Sequence, residues 1–136
     1  MSQDRPISVV IYEKDLQQAL LFGKMVESLG YTVRVYSAPT DCPIYASHTC
    51  TCPQTNPCAD IVLIDYDMSH MNGIELLELQ RTLGCKTRFE NKAIMSTSLS
   101  VQLKEVIAAL GCQFFCKPLR RIELKSWLDA CATRLA

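Results

Sequence analysis

A run of four apolar residues, Ile61 to Ile64, stops at two carboxylates, Asp65 and Asp67, before Met68, Met71 and the pair Asn72-Gly73 lead into another apolar segment. A buried run that ends in acids is either leaving a sheet for water or presenting charge to a cation and a reaction, because unpaired charge in an interior is costly. Three other segments end in polar or charged residues. Ile7 to Tyr12 stops at Glu13, Lys14 and Asp15; Ala93 to Met95 stops at Ser96-Thr97; Phe114 to Cys116 stops at Lys117-Pro118. Carboxylates, hydroxyls and one amine brought together suit phosphoryl transfer to a carboxylate. Asp65 would be the nucleophile. A hard cation between acids would offset charge repulsion, Lys117 would hold one phosphoryl oxygen, and Ser96 or Thr97 another. Taken singly these residues say little: chains turn and meet water after strands, and most lysines are solvated.

The elements that must bring them together follow from periodicity. Ile7–Tyr12, Thr32–Tyr36, Ile61–Ile64, Ala93–Met95 and Phe114–Cys116 read as strands. Helical spacing places Leu16, Ala19, Leu20, Val26 and Leu29 on one helix, capped by Asp15 and stopped by Gly30. Asn72 caps a second helix through about Leu83, with Ile74, Leu76, Leu77 and Leu79 on or near its buried face. Leu103, Val106, Ile107 and Leu110 stripe a third, stopped by Gly111. A last helix runs from about Ile122 to Leu135, with Leu124, Trp127, Leu128 and Cys131 inward. Thr40 or Asp41 is expected to cap a short helix with Pro43 in its first turn. Strands alternating with helices make a parallel sheet covered on both faces. Ligands in such sheets bind beyond the carboxyl ends of the strands, where the acids and Lys117 stand. A flavodoxin-like redox enzyme needs a phosphate-cradling loop after the first strand, and Glu13-Lys14-Asp15-Leu16 lacks its glycines.

The chain has 136 residues, no net charge, 49% apolar residues and 21% charged ones, which fits a single domain spanning 1–136 with a proper core. The absence of a basic excess disfavours nucleic acid as a direct partner. No signal peptide or bilayer-length apolar run is present, so a cytoplasmic protein without a membrane partner is expected.

Residues Asp65-Tyr66-Asp67-Met68-Ser69-His70-Met71-Asn72-Gly73, Lys117-Pro118 and Leu29-Gly30-Tyr31 together resemble the receiver domain of two-component response regulators, from about Ile7 to Leu135. The resemblance implies a flavodoxin-like, doubly wound five-stranded parallel sheet of strand order 2-1-3-4-5 with helices on both faces. It implies that Asp65 accepts a phosphoryl group from a histidine kinase or phosphotransfer protein, as a phosphoacceptor domain rather than an enzyme. It also implies Mg²⁺ at Glu13, Asp65 and Asp67, a cis Lys117-Pro118 peptide, a switch aromatic at Phe114, and a site hydroxyl on Thr97 or Ser96. There are three departures. Lys14 stands where the main metal-binding aspartate belongs, so either Glu13 or Asp15 with Asp67 recruits the cation, or the Lys14 ammonium takes its place. Ser69 replaces the usual proline. A segment rich in cysteine and proline, 38–60, replaces or extends the second helix.

That segment holds Cys42, Cys50, Cys52 and Cys58, with His48 nearby, among eight cysteines in the chain. Four thiolates could close a zinc site or an iron–sulfur cluster, although the spacing lacks paired C-x2-C knuckles. Unliganded thiols and a redox-sensing loop are the alternatives. Cys112, Cys116 and Cys131 read as core residues, and His70 as a surface residue near Asp65. Two functions follow. One is a stand-alone receiver that signals through a downstream protein partner, with room for a homodimer. The other is a degenerate receiver acting as a phosphorylation-independent interaction module, metal- or redox-responsive through its cysteines.

Overall fold

The computed structural model describes residues 6–42, 50 and 59–135. Five strands, β1 (Ser8–Tyr12), β2 (Thr32–Tyr36), β3 (Ile61–Asp65), β4 (Lys92–Ser96) and β5 (Gln113–Cys116), pair in parallel in the order β2-β1-β3-β4-β5. Four α-helices lie among the described residues: α1 (Leu16–Ser28), α2 (Gly73–Thr82), α3 (Val101–Ala109) and α4 (Arg121–Leu135). This is the flavodoxin-like arrangement that the resemblance implies, and the parallel sheet expected from the alternation of apolar segments. None of the described helices is long and apolar enough to cross a membrane.

The two-residue period of the strands divides the core. Val9, Ile11, Ile61, Leu63, Ala93, Met95 and Phe115 pack with Phe22 and Val26 of α1 and with Leu124, Trp127, Leu128 and Cys131 of α4. Val10, Tyr12, Val62, Ile64 and Ile94 face the other way, onto Ile74, Leu76 and Leu77 of α2 and Ile107 of α3. One residue in two therefore faces each helical layer.

Local chemistry sets the helix starts. Asp15 accepts hydrogen bonds from the backbone N–H groups of Gln17 and Gln18. Asn72 and Glu75 cap α2 reciprocally, each side chain accepting from the other's backbone N–H at 2.8 Å. Gly30, Gly84 and Gly111 take the positive φ that ends a helix. Gly73 serves a different need: a Cβ there would stand 2.8 Å from Ile94 Cδ1 and 3.0 Å from the Asp65 carbonyl oxygen. Only glycine lets α2 start against the end of β3.

Several expectations are corrected. The short helix after β2 is a 3₁₀ turn at Pro39–Asp41, because Asp41 folds back to accept from the backbone N–H groups of Ser37 and Ala38; Pro43 lies outside the described residues. Leu16 and Leu20 are exposed, at 69% and 60%, and α1 buries Phe22 instead. Val106 is exposed because α3 turns Ile107 to the sheet. Cys116 is exposed, as the last residue of the sheet's edge strand β5, and Cys112 is half-buried; Cys131 is buried. Of the proposed metal cysteines, Cys42 is buried and Cys50 half-buried. Cys52 and Cys58 lie outside the described residues, as does His48.

Candidate functional site

Parallel pairing puts the carboxyl ends of β1, β3, β4 and β5 on one edge. Tyr12 pairs with Ile64, Asp65 with Met95, and Ser96 with Cys116, so Glu13, Asp65, Thr97 and Lys117 follow in adjacent positions. All four also share the parity of the residues that face α1 and α4. Together with Lys14, Asp15, Gln18, Asp67 and Met68 they line a cavity of about 320 Å³.

At its floor is a charged cluster almost closed to water. The Lys117 ammonium donates to Glu13 Oε1 at 2.7 Å and to Gln18 Oε1 at 2.8 Å, and stands 3.2 Å from Asp65 Oδ1. The amine thus donates to two oxygens and forms an ion pair with the third. The side chains of Lys117, Glu13 and Asp65 are only 9%, 1% and 5% exposed. Glu13 Oε2 accepts from the backbone N–H of Asp15, and Asp65 Oδ1 from that of Asp67. The Lys117-Pro118 peptide is cis, and the Lys117 N–H donates to the Ser96 carbonyl at 2.8 Å.

Burial, then the hydrogen-bonding and charge of the adjacent Glu13 carboxyl, push the Asp65 carboxyl up to about 6; the Lys117 ammonium pulls the other way. A buried carboxyl beside a second acid holds its negative charge reluctantly. Asp65 is thus mostly ionised at pH 7, but close to the point at which it takes up a proton.

The hydroxyls separate by face. Thr97 lines the cavity and is exposed. Ser96 has the opposite parity, is buried, and its Oγ bonds with Ser98 instead, donating to the carbonyl at 3.1 Å and accepting from the N–H at 3.2 Å. Phe114 is half-buried, with the Lys104 ammonium 5.0 Å from its ring centre. His70 is exposed, in the loop between β3 and α2.

The Mg²⁺ that the resemblance implies does not fit the cluster as it is arranged. Among the described residues no three Asp, Glu, His or Cys side chains gather around a point that could hold a metal. Glu13 is committed to Lys117, Asp15 to the cap of α1, and Asp67 is exposed. Lys14 is exposed and lines the rim; the cation that neutralises Asp65 and Glu13 is Lys117. Gln18 is the residue that periodicity alone did not flag. It lies three places after the cap Asp15, on the turn of α1 that faces the cavity.

No family model and no curated protein matches the chain. Solved structures do match its fold. The receiver domain of Francisella response regulator 1452 superposes with a TM-score of 0.77 at 21% identity, over 97% of this chain and 100% of that one. A CheY-like receiver domain from Methylobacillus flagellatus gives 0.73 at 19% identity, over 93% and 99%. The chemotaxis protein CheY4 of Vibrio cholerae gives 0.69 at 16% identity, over 97% and 100%. The chain has the receiver fold.

Proposed function

We propose that this chain is a two-component receiver that accepts a phosphoryl group on Asp65 and passes the signal on by protein contact. The observation that carries the reading is the convergence of Asp65, Lys117 and Thr97 in one cavity at the sheet's carboxyl edge. The Asp65 carboxylate attacks phosphorus. Lys117 exchanges its Glu13 contact for a phosphoryl oxygen and neutralises charge as it arrives. Thr97 donates its hydroxyl to a second phosphoryl oxygen, and the Phe114 ring is the element that responds. The donor is a histidine kinase or phosphotransfer protein. Leu16 and Leu20, one helical turn apart and exposed on α1, the helix whose Gln18 lines the cavity, offer it an apolar footing. Because the carboxylates do not surround a cation site, no step is assigned to Mg²⁺.

The test is intact mass after incubation with acetyl phosphate, with and without Mg²⁺, beside Asp65→Asn. One phosphoryl adduct on the wild type alone supports the reading. No adduct, under conditions that label an ordinary receiver, leaves the phosphorylation-independent interaction module in its place.

A further inference from the structure

At the other end of the sheet from Asp65, the first residue of β4 is a lysine in the core. Lys92 has no exposed surface. Its Nζ donates to Gln80 Oε1 at 2.6 Å, stands 3.4 Å from Cys85 Sγ, and lies 4.2 Å from the centre of the Phe89 ring. No carboxylate is among these partners. A buried ammonium with only neutral partners is costly, whereas Leu or Met would fill the same volume at no such cost. The position is therefore expensive as structure and calls for a chemical reason.

The surroundings supply one. Cys42, Cys50, Cys85 and Cys112 all lie in or against the same apolar cluster, on the α2 and α3 side of the sheet. Two of them come from the cysteine-rich segment, and Cys50 is tied to the end of α2 by its N–H to the Leu83 carbonyl and by Lys86 to its own carbonyl. Burial pushes the Lys92 ammonium down, towards the neutral nucleophilic amine, and the nearby sulfurs, Cys85 foremost, only partly offset this. Burial likewise pushes the Cys112 thiol up to about 11, which holds it protonated and unreactive. Cys85 is half-buried and within reach of a small oxidant.

We propose that Lys92 and Cys85 form a peroxide-responsive covalent pair, joined by a sulfur–nitrogen bond. In the first step the Cys85 sulfur attacks one oxygen of hydrogen peroxide. The O–O bond breaks, sulfur gives up two electrons to become a sulfenic acid, and the other oxygen leaves as water. In the second, the Lys92 amine lone pair attacks that sulfur. The S–O bond breaks, and the hydroxyl departs as a second water with a proton from the amine. The chain loses two hydrogen atoms in all. The amine already sits 3.4 Å from sulfur, so only its bond to Gln80 must be given up. The bond would tie the end of α2 to the start of β4. These are the elements whose opposite ends carry the Asp65 loop and Thr97.

The experiment treats the reduced full chain with equimolar hydrogen peroxide, blocks remaining thiols, and maps tryptic peptides. A joined peptide of residues 82–86 with residues 89–104, two hydrogens lighter than the sum of its parts and uncut after Lys92, is the expected product. It disappears on reduction, in Cys85→Ser and in Lys92→Met. The proposal is overturned if wild-type Cys85 ends as a disulfide or a higher acid, or stays unoxidised, while trypsin still cuts after Lys92. The wild-type peptide decides this even if a variant folds poorly.

Discussion

The Lys117 ammonium stands closer to Glu13, at 2.7 Å, than to Asp65, at 3.2 Å. The resting site is thus a cation shared between two buried acids, with Gln18 completing its shell. This arrangement predicts how the domain responds to substitution.

Removing the cation should be severe. Lys117→Met leaves Glu13 and Asp65 facing each other in a nearly closed floor, and breaking a buried pair in this way costs about 3–5 kcal/mol. Adding Glu13→Gln to that variant removes one of the two stranded charges and should recover part of the loss. Urea unfolding of the single and double variants measures both.

The Asp65 carboxyl, pushed up to about 6, fixes a sign for pH dependence. Its folded-state value lies above the unfolded one of 3.8, so the native state binds the proton more tightly. Its contribution is fully present below the unfolded value and is lost as pH rises through about 6. Asp65→Asn, which stays neutral, should therefore gain stability over the wild type between pH 5 and pH 8, by about 1.4 kcal/mol. Equal differences at the two pH values in denaturant titrations would contradict this.

Gly73 is required by contact rather than by φ. Gly73→Ala drives a methyl group into Ile94 Cδ1 and the Asp65 carbonyl, and overpacking of this kind costs roughly 1–3 kcal/mol. A fall in Tm together with slower labelling of Asp65 is expected, because the start of α2 would be pushed off the end of β3.

The exposed leucines of α1 separate docking from chemistry. Leu16→Glu with Leu20→Glu should leave labelling by acetyl phosphate within about twofold of wild type, since both side chains are solvent-facing. Transfer from a phosphorylated protein donor should fall at least about tenfold, the equivalent of about 1.4 kcal/mol of lost docking. Equal loss with both donors would place the leucines in the fold instead.

Much of this was legible in the sequence because period and punctuation agree. Alternating apolar runs gave the five strands, and Asp15, Asn72, Gly30 and Gly111 marked the helix ends to within a residue or two. The convergence of Glu13, Asp65 and Lys117 follows from parallel pairing alone. The choice between Ser96 and Thr97 was also available, since two-residue parity puts only Thr97 on the face of Asp65. Other features depend on three-dimensional packing. Helical spacing does not say which of two apolar stripes meets the sheet, and the stripe of Leu16 and Leu20 faces water. A lysine before an apolar run reads as solvated, so spacing starts β4 at Ala93, whereas the strand starts at the buried Lys92. Gln18 matters only because Lys117 arrives from a position 99 residues away.

The central claim is that Asp65 carries the phosphoryl group. Borohydride reduces an acyl phosphate to the alcohol, which would turn a phosphorylated Asp65 into homoserine and mark the position permanently. After acetyl phosphate and borohydride, peptide sequencing should find homoserine at position 65 and at no other acid, with none in Lys117→Met. Homoserine at Asp15 or Asp67, or the longer alcohol hydroxynorvaline at Glu13, in place of homoserine at Asp65, or no reduced residue at all, would contradict the account.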